Sequence, residues 1–453
     1  MTKSRPGSPD IRPRRLPEAD IVNNFKDMHP PLSRSEALIE ADRCYFCFDA
    51  PCTTACPTGI DIPGFIQKIR SDNVKGSART ILQENIMGGM CARVCPTEVL
   101  CEEACVRNTH EELPVRIGLL QRYATDPVFK KDIKLFEHGA DTGRKVAVVG
   151  AGPAGLSCAH RLAMLGHKVV VFDRLPKGGG LNEYGIAAYK TVDEFAQREV
   201  QWILDIGGIE VRHDATLGED FTLAEIMDDY DAVFLGIGLG DVNRLGIENE
   251  DIDGVVDAVR YIAQLRQARK KSELPVGRRV VVIGGGMTAI DVAVQSKRLG
   301  AEQVDIVYRR GPAQMGASQY EQEFAQTSGI SIRHWAKPVQ ILGETFVTGI
   351  EFETTTQDAN GKLKGTGERW AIEADVVFKA VGQILGDGLP VAAGSTLKIH
   401  GGRISVGGDR STSIKGVWAG GDCIDGGQDL TVTAVQDGKV AAHSIDRYLR
   451  DQR

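Results

Sequence analysis

Residues 44–57 read C-Y-F-C-F-D-A-P-C-T-T-A-C-P, and residues 91–105 read C-A-R-V-C-P-T-E-V-L-C-E-E-A-C. These two stretches hold eight of the ten cysteines in the chain. Each stretch offers several soft thiolates from a short piece of backbone, and the spacing C-x3-C followed by proline is typical of iron-sulfur ligation. The pattern predicts that residues 1–140 form a small helical domain held together by its clusters.

Two other uses of eight cysteines are less consistent with the sequence. Disulfides form in oxidising compartments, but no signal peptide is recognisable and the nucleotide-binding motifs further along are of an intracellular kind, so we expect reduced thiols in a cytoplasmic protein. Structural zinc usually takes paired C-x2-C knuckles, and only Cys44 and Cys47 have that spacing. Iron-sulfur clusters are therefore the favoured interpretation.

Composition excludes several classes of function. The formal net charge is -7 over 453 residues, which argues against a nucleic-acid-binding surface. No apolar run approaches the ~18 residues that a membrane-spanning helix needs. We therefore expect neither a nucleic acid nor a membrane as partner, and the length suggests about three domains.

Helices should surround the cysteines. Ser33 or Ser35 is suited to cap a short helix that leads to Cys44. Asp61 is a plausible N-cap for the next helix, and the apolar residues after it recur with helical spacing at Ile62, Phe65, Ile66 and Ile69. A further helix over residues 78–84 would bring the second cysteine stretch back to the first.

A dinucleotide-binding unit begins at Lys145. A short apolar strand leads into Gly150, Gly152 and Gly155 of a G-x-G-x-x-G loop, a helix follows, and a second strand ends at Asp173. In such units the glycines let the backbone approach a pyrophosphate at the helix N-terminus, and the acid accepts ribose hydroxyls. The complete order of strand, loop, helix, strand and acid makes this a strong signal.

A second unit follows at Arg279. Gly284, Gly286 and Ala289 form a G-x-G-x-x-A loop, and the next strand ends in Arg309 and Arg310 with no acid. Arginines at this point are suited to hold a 2'-phosphate, which favours NADP over NAD; the alternative is that they are solvated surface charges. The choice between the two cofactors stays open from these residues.

Two such units in one chain predict one flavin and one nicotinamide nucleotide. Residues 416–422 read G-V-W-A-G-G-D, a buried strand whose final Asp422 is placed to bind a ribityl hydroxyl, and residues 429–440 look helical. We therefore predict an α/β protein in which a helical [4Fe-4S] domain precedes two Rossmann-like domains, the second inserted into the first. The predicted boundaries are 1–140 for the iron-sulfur domain, 141–243 and 384–453 for the FAD domain, and 244–383 for the NAD(P) domain.

With these motifs in view, the chain resembles the family of flavin and iron-sulfur electron-transfer proteins that includes the glutamate synthase small subunit and the N-terminal half of dihydropyrimidine dehydrogenase. The likeness extends from about residue 37 to the end of the chain. C-F-D-A-P-C-T-T-A-C-P at 47–57 and C-A-R-V-C-P-T at 91–97 are most similar to the bacterial NAD-dependent dihydropyrimidine dehydrogenase branch.

The resemblance implies which cysteines share a cluster. It assigns one [4Fe-4S] cluster to Cys44, Cys47, Cys52 and Cys105. It assigns a second to Cys56, Cys95, Cys101 and Gln121, which leaves Cys91 near a cluster without binding it.

The resemblance also implies nucleotide contacts. For FAD these are Gly150, Gly152, Pro153, Ala154, Gly155, Asp173, Gly180, Leu181, Lys190, Leu239, Gly421, Asp422 and Thr431. For the nicotinamide they are Gly284, Gly286, Met287, Thr288, Ala289, Arg309, Arg310, Ala380, Val381 and Gly382. Asp173 and Lys190 replace an expected Glu and Arg with the charge kept. Gly316 stands where the NADPH-using animal enzyme has a basic residue, which weakens the case for NADP. The resemblance to the bacterial branch favours NADH, and the expected donor stays NAD(P)H.

The implied function is electron input to dihydropyrimidine dehydrogenase. Hydride passes from NAD(P)H to FAD without a catalytic acid or base from the protein, and electrons continue through two [4Fe-4S] clusters. Uracil or thymine would be reduced at its 5,6 bond on a large partner subunit that carries FMN and iron-sulfur clusters, so a hetero-oligomer is expected. The alternatives are the small subunit of glutamate synthase or of another iron-sulfur flavoenzyme, and a non-catalytic scaffold, against which the intact nucleotide motifs speak.

Overall fold

The computed structural model describes residues 15–386 and 397–452, which fall into two compact units. The larger unit comprises residues 29–183, 193–241 and 384–453, and the smaller unit comprises residues 1–28, 184–192 and 242–383. Among the described residues, no helix combines the length and apolarity that a membrane span requires.

The first third of the chain is helical. Its helices are α1 Glu18–Asn24, α2 Arg34–Asp42, α3 Pro51–Ala55, α4 Ile62–Arg70, α5 Val74–Glu84, α6 Gly88–Val94, α7 Val106–Glu111 and α8 Ile117–Lys130, with a 3-10 turn at Thr97–Val99. Helix α1 belongs to the smaller unit, where the Asn24 side chain donates a hydrogen bond to the carbonyl of Arg298. The sequence predicts an iron-sulfur domain that begins at residue 1, whereas residues 15–28 lie in the smaller unit.

The caps expected from the sequence are present. Ser33 and Glu36 form a capping box at the start of α2, and the Asp61 carboxylate accepts the Gly64 N–H at 3.0 Å to start α4. The four apolar residues predicted to share one face of α4 are all buried, including Phe65 at 0% exposure. They pack on α5 and α8 in a core against which Cys44, Cys52, Cys56 and Cys101 also lie.

The remainder of the larger unit alternates strands and helices. The elements from residue 145 to residue 242 are β1 Lys145–Val149, α9 Pro153–Met164, β2 Lys168–Phe172, α10 Leu181–Tyr184, α11 Phe195–Leu204, β3 Ile209–Arg212, α12 Leu223–Asp229, β4 Ala232–Leu235 and β5 Asp241–Val242.

The smaller unit contains a second strand and helix series. Its elements are β6 Val255–Asp257, α13 Ala258–Gln267, β7 Arg279–Ile283, α14 Met287–Leu299, β8 Gln303–Val307, α15 Gln319–Thr327, β9 Ser331–Arg333, β10 Ala336–Leu342, β11 Gly349–Gln357, β12 Leu363–Glu373 and β13 Val376–Lys379, with 3-10 turns at Lys271–Glu273 and Pro312–Gln314. The chain then returns through β14 Gln383–Ile384, β15 Ile399–His400, β16 Arg403–Ile404, β17 Val417–Ala419 and α16 Thr431–Asp451.

Both central sheets are parallel and have five strands. The larger unit has the order β17-β4-β1-β2-β3, and the smaller unit has the order β6-β13-β7-β8-β9. Strand β17 comes from the end of the chain yet pairs with β4, because the smaller unit interrupts the sequence of the larger one. This confirms the predicted insertion of one Rossmann-like fold into another.

The smaller unit has features that the sequence analysis missed. An antiparallel sheet, β10-β11-β12, is inserted between β9 and β13 of the parallel sheet. The sequence analysis did not predict it. Residues 184–192, which lie within the predicted FAD domain, pack in this unit.

In the larger unit, strand β17 is shorter than predicted, because it ends at Ala419 and Gly420 and Gly421 belong to the loop that follows.

Candidate functional site

Four thiols of the larger unit line one cavity. They are Cys44, Cys47, Cys52 and Cys105, which lie at or near the ends of α2, α3 and α7. Burial, together with the nearby Cys105 and Cys44 thiols, raises the pKa of the Cys52 thiol to about 12. A cationic metal centre would stabilise such crowded thiols as thiolates, so the structure brings together the set that the resemblance assigns to the first cluster.

A second group of thiols lies at the ends of α3 and α6. A hydrogen bond with Cys91, burial, and the nearby Cys101 and Cys56 thiols hold the pKa of Cys95 well above its usual range. Cys56 is the C-cap of α3 and Cys95 the C-cap of α6. The structure therefore brings together the three cysteines predicted for the second cluster, and it adds Cys91 to their neighbourhood.

Gln121, the remaining predicted ligand, is buried on α8. Its Nε2 donates a hydrogen bond of 2.7 Å to the carbonyl of Gly88, at the start of α6. Gln121 is thereby fixed beside the helix that carries Cys91. That Gln121, and not Cys91, completes the second ligand set stays a prediction.

The four thiols around the first cavity suit a group of several iron atoms, because a [4Fe-4S] cluster takes four thiolates. Across residues 15–386 and 397–452, no group of three or more His, Cys, Asp or Glu side chains is placed to hold a single metal ion.

The first glycine loop leaves space for a nucleotide. A Cβ at Gly155 would lie 1.8 Å from the carbonyl oxygen of Gly150, so this turn requires glycine. A Cβ at Gly180 would lie 2.9 Å from the Cα of Gly152. Helix α9 starts with Pro153 and Ala154 and has no side-chain cap at Gly152, so its first N–H groups face the space where a pyrophosphate binds in such loops.

The two predicted carboxylates differ in their surroundings. Asp173 is buried, and its oxygens accept the N–H groups of Ala151 at 2.6 Å and Leu175 at 2.8 Å. It therefore braces the glycine loop while keeping lone pairs for a ribose. Burial and the neighbouring Asp429 raise the pKa of Asp422 to about 6, and a ribityl hydroxyl would supply a hydrogen bond to this carboxylate.

The other residues predicted for FAD surround the same loop of the larger unit. Thr431, the first residue of α16, donates a hydrogen bond of 2.7 Å to Oδ1 of Asn182, and Gly421 donates one of 2.9 Å to Asp437. Leu181 begins α10, and Leu239 follows β4. Their direct contact with a flavin stays a prediction.

The second glycine loop has the same architecture. A Cβ at Gly284 would lie 2.1 Å from the carbonyl oxygen of Ala380, whereas one at Gly286 would meet nothing within 4 Å. Helix α14 starts at Met287, has no side-chain cap at Gly286, and carries Thr288 and Ala289 in its first turn. The predicted segment from Ala380 through Val381 to Gly382 follows β13, the strand beside β7.

Arg309 and Arg310 lie just beyond the end of β8, after Tyr308. Arg309 is exposed and Arg310 is half-buried. Within the described residues, neither guanidinium has a hydrogen bond or an ion pair, whereas Arg333 on β9 is bound to Asp305 at 2.8 Å. Two uncompensated cations at this point suit a nucleotide phosphate.

Lys190 lies in the smaller unit, buried between two acids. Its Nζ is 2.8 Å from Asp291 and 2.7 Å from Glu321. These carboxylates outweigh the cost of burial and hold the pKa of Lys190 above the range of a free lysine. Its ammonium therefore fixes residues 184–192 to α14 and α15, and its predicted role in holding FAD stays a prediction.

Three residues near the thiols escaped the sequence analysis. Glu199 on α11 accepts the N–H groups of Gly89 and Met90 at the start of α6. Thr58 contacts the Cys56 thiol, and Lys439 on α16 reaches the Thr58 carbonyl. Glu199 and Lys439 act over more than 100 residues of sequence, and no motif or spacing marks any of the three.

Comparison with known proteins agrees with this division of the chain. The family described as dihydropyrimidine dehydrogenase domain II, 4Fe-4S cluster, matches residues 21–133. The family described as pyridine nucleotide-disulphide oxidoreductase matches residues 144–438. These matches confirm the predicted classes of cofactor, a 4Fe-4S group, FAD and a nicotinamide nucleotide, while the number of clusters stays a prediction.

Two curated relatives cover nearly the whole chain. The small chain of NADPH glutamate synthase from Escherichia coli is 35% identical over 446 residues, 94% of each chain. The PreT subunit of NAD-dependent dihydropyrimidine dehydrogenase from Salmonella typhimurium is 32% identical over 431 residues, 95% of this chain and 98% of the relative. Identity alone does not favour the dihydropyrimidine dehydrogenase branch.

Solved structures share the fold. Mycobacterium tuberculosis FprA in complex with NADPH has a TM-score of 0.57 and 21% identity, and the match covers 68% of this chain and 85% of that one. Thioredoxin reductase of T. acidophilum has a TM-score of 0.54 and 23% identity, over 68% of this chain and 99% of that one. Both confirm the predicted pair of nucleotide-binding folds.

Proposed function

We propose that this chain is the electron-input subunit of a dihydropyrimidine dehydrogenase. The chain belongs to the pyridine nucleotide-disulphide oxidoreductase family and is an NAD(P)H-dependent flavin and iron-sulfur oxidoreductase. The observation that carries the proposal is the joint presence, in one chain, of two glycine loops and two groups of cysteine thiols. When bound, FAD would accept hydride from NAD(P)H as an electron pair, and the iron-sulfur clusters would pass electrons on singly.

The chain's own residues bind and orient the nucleotides. The uncapped starts of α9 and α14 provide N–H groups and a positive dipole end for two pyrophosphates. Asp173 and Asp422 accept hydroxyl protons in hydrogen bonds from the flavin nucleotide. Hydride transfer requires stacking and alignment, so no catalytic acid or base is assigned to the protein.

Contacts within the larger unit link the predicted flavin region to the segments whose thiols would hold the clusters. Asn182, which binds Thr431 in the flavin region, also approaches the Met87 sulfur at 3.5 Å, just before α6. Glu199 and Lys439 extend from flavin-side helices to the thiol-bearing segments. Many buried contacts therefore hold the two redox regions in one compact unit.

A partner must complete the reaction. Both nucleotide loops have assigned roles, so pyrimidine reduction requires an FMN-bearing large subunit where uracil or thymine gains two electrons and two protons across its 5,6 bond. The 4Fe-4S domain match and the PreT relative support this partner. Two [4Fe-4S] clusters, with the ligand sets given above, would form the relay.

A second candidate acceptor is the large amidotransferase subunit of glutamate synthase. The 35% identity to the Escherichia coli small chain supports it. The two candidates share the nicotinamide, flavin and cluster relay of this chain and differ only in the subunit that receives the electrons.

Anaerobic co-purification with each candidate large subunit would separate them. Oxidation of NADH and NADPH is measured with uracil and, in parallel, with glutamine and 2-oxoglutarate. We expect uracil-dependent turnover, and the ratio of the two nicotinamide rates identifies the donor. Cys44→Ser serves as a matched control that should retain flavin reduction by NAD(P)H but lose turnover. Flavin reduction without a uracil response would refute the pyrimidine assignment and leave the relay intact.

A further inference from the structure

A short chain of polar contacts connects the last helix of the larger unit to the thiol of Cys56. Oγ1 of Thr58 lies 3.3 Å from Sγ of Cys56. The carbonyl oxygen of the same threonine accepts a hydrogen bond of 2.9 Å from Nζ of Lys439. Thr58 is 3% exposed, so this contact is protected from water.

The direction of the first contact follows from chemistry. A cysteine that binds iron is a thiolate and has no proton to donate. Only the Thr58 hydroxyl can then donate, and the contact becomes an O–H···S hydrogen bond to a ligand sulfur. Such hydrogen bonds are among the factors that set the reduction potential of an iron-sulfur cluster.

Lys439 adds a cation at the same place. Its side chain is 12% exposed, and its Nζ lies 2.9 Å from Glu84, whose side chain is 39% exposed. The lysine is therefore the better shielded member of the pair, and its field is less screened by water. It lies eight residues beyond Thr431, which is about 12 Å along α16 from the predicted flavin site.

We propose that Thr58 and Lys439 are positioning residues that raise the reduction potential of the cluster bound by Cys56. Reduction adds one electron to that cluster. The hydroxyl donor and the ammonium both stabilise the added negative charge, so the cluster accepts an electron from the flavin side more readily. The proposal rests on the proposed function only in that Cys56 binds a cluster.

Conservative variants of the full chain separate this role from a structural one. Thr58→Val removes the hydroxyl at nearly constant volume, and Thr58→Ser restores it. Lys439→Met removes the charge, and Lys439→Arg keeps it. Glu84→Gln removes the acid that opposes Lys439, so its effect should have the opposite sign.

The measurement is an anaerobic redox titration followed by electron paramagnetic resonance, together with iron content. Cys56→Ser identifies which signal belongs to the cluster in question. We expect Thr58→Val and Lys439→Met to shift its midpoint potential downwards, Glu84→Gln to shift it upwards, and Thr58→Ser and Lys439→Arg to leave it near the wild-type value. The second signal should stay unchanged in each variant and serves as the internal reference.

Several outcomes would overturn the inference. If Lys439→Met and Glu84→Gln leave the midpoint potential unchanged, or shift it in the same direction, Lys439 has only a structural role. If Thr58→Val has full iron content and an unchanged midpoint potential, the Thr58 hydroxyl does not influence the reduction potential of the cluster. Because chemical titration does not use NAD(P)H, failure of NAD(P)H to reduce the wild-type clusters would refute the proposed function separately.

Discussion

Glu199 provides a test of how the flavin side holds the helix beside the second thiol group. The residue is 1% exposed, and its carboxyl oxygen accepts the Gly89 N–H at 2.8 Å and the Met90 N–H at 3.1 Å. Burial raises its pKa from 4.5 to about 8, and the two N–H groups and Arg93 only partly offset that effect. In the folded chain the group is therefore largely protonated near neutral pH.

The sign of the pH effect follows from this difference. A carboxyl with a higher pKa in the folded chain holds its proton there after the unfolded chain has lost it. The stabilisation is complete below about pH 4.5 and is lost as the pH rises to about 8. Each pKa unit corresponds to about 1.4 kcal/mol, so this loss amounts to about 2 kcal/mol between about pH 6 and about pH 8.

Glu199→Gln and Glu199→Ala separate charge from hydrogen bonding. The amide keeps an acceptor and does not titrate, so Glu199→Gln should lose the pH dependence and exceed the wild type in stability above about pH 8. Alanine leaves two buried N–H groups without an acceptor, so Glu199→Ala should be about 2 to 5 kcal/mol less stable than Glu199→Gln at every pH. Anaerobic urea unfolding is followed by circular dichroism and by cluster absorbance. Parallel pH curves for wild type and Glu199→Gln would refute the reasoning.

Three further predictions concern the binding sites. Gly155→Ala should abolish FAD binding, because the new Cβ would lie 1.8 Å from a loop carbonyl oxygen; the ratio of flavin to protein measures this, with Gly408→Ala as a control that meets no neighbour. Arg309→Gln and Arg310→Gln should raise KM for NADPH about tenfold or more and leave KM for NADH nearly unchanged, if they bind a 2'-phosphate. Cys44→Ser should lower the iron content by half and remove one of two paramagnetic signals.

The opposite results are equally informative. Normal flavin content in the Gly155 variant would mean that the loop does not contact the nucleotide. Equal changes in KM for NADPH and NADH would show that the two arginines do not recognise the 2'-phosphate specifically. Full iron content after loss of Cys44 would remove that residue from the ligand set, and loss of all iron would show that one cluster cannot form without the other.

Local sequence was enough to predict the elements that place the nucleotide loops. The G-x-G-x-x-G loop needs glycine because Gly150 and Gly155 approach backbone atoms closely, and this steric requirement is visible in the sequence. The apolar face of α4 follows from a spacing of three and four residues. The insertion of one Rossmann-like fold into the other also followed, because the motifs occur in a fixed order.

Contacts between distant segments were beyond the reach of local patterns. The resemblance implies an FAD contact for Lys190, and no local pattern indicates that the fold buries it between Asp291 and Glu321. Residues 15–28 precede the thiol-bearing helices and yet pack in the smaller unit. Neither arrangement has a signature within a window of neighbouring residues.

The sequence by itself determined the two kinds of site, because thiolate donors and glycine loops are demanded by the chemistry of iron-sulfur clusters and by the close approach of a nucleotide to backbone. Only the tertiary structure decided which side chains surround those sites. Glu199 on α11 accepts N–H groups at the start of α6, and Lys439 on α16 donates to the Thr58 carbonyl. Both contacts join residues more than 100 positions apart in the sequence, and they exist because α11 and α16 pack on the thiol-bearing segment. Such partners are selected by three-dimensional packing, in which residues hundreds of positions apart share one buried environment.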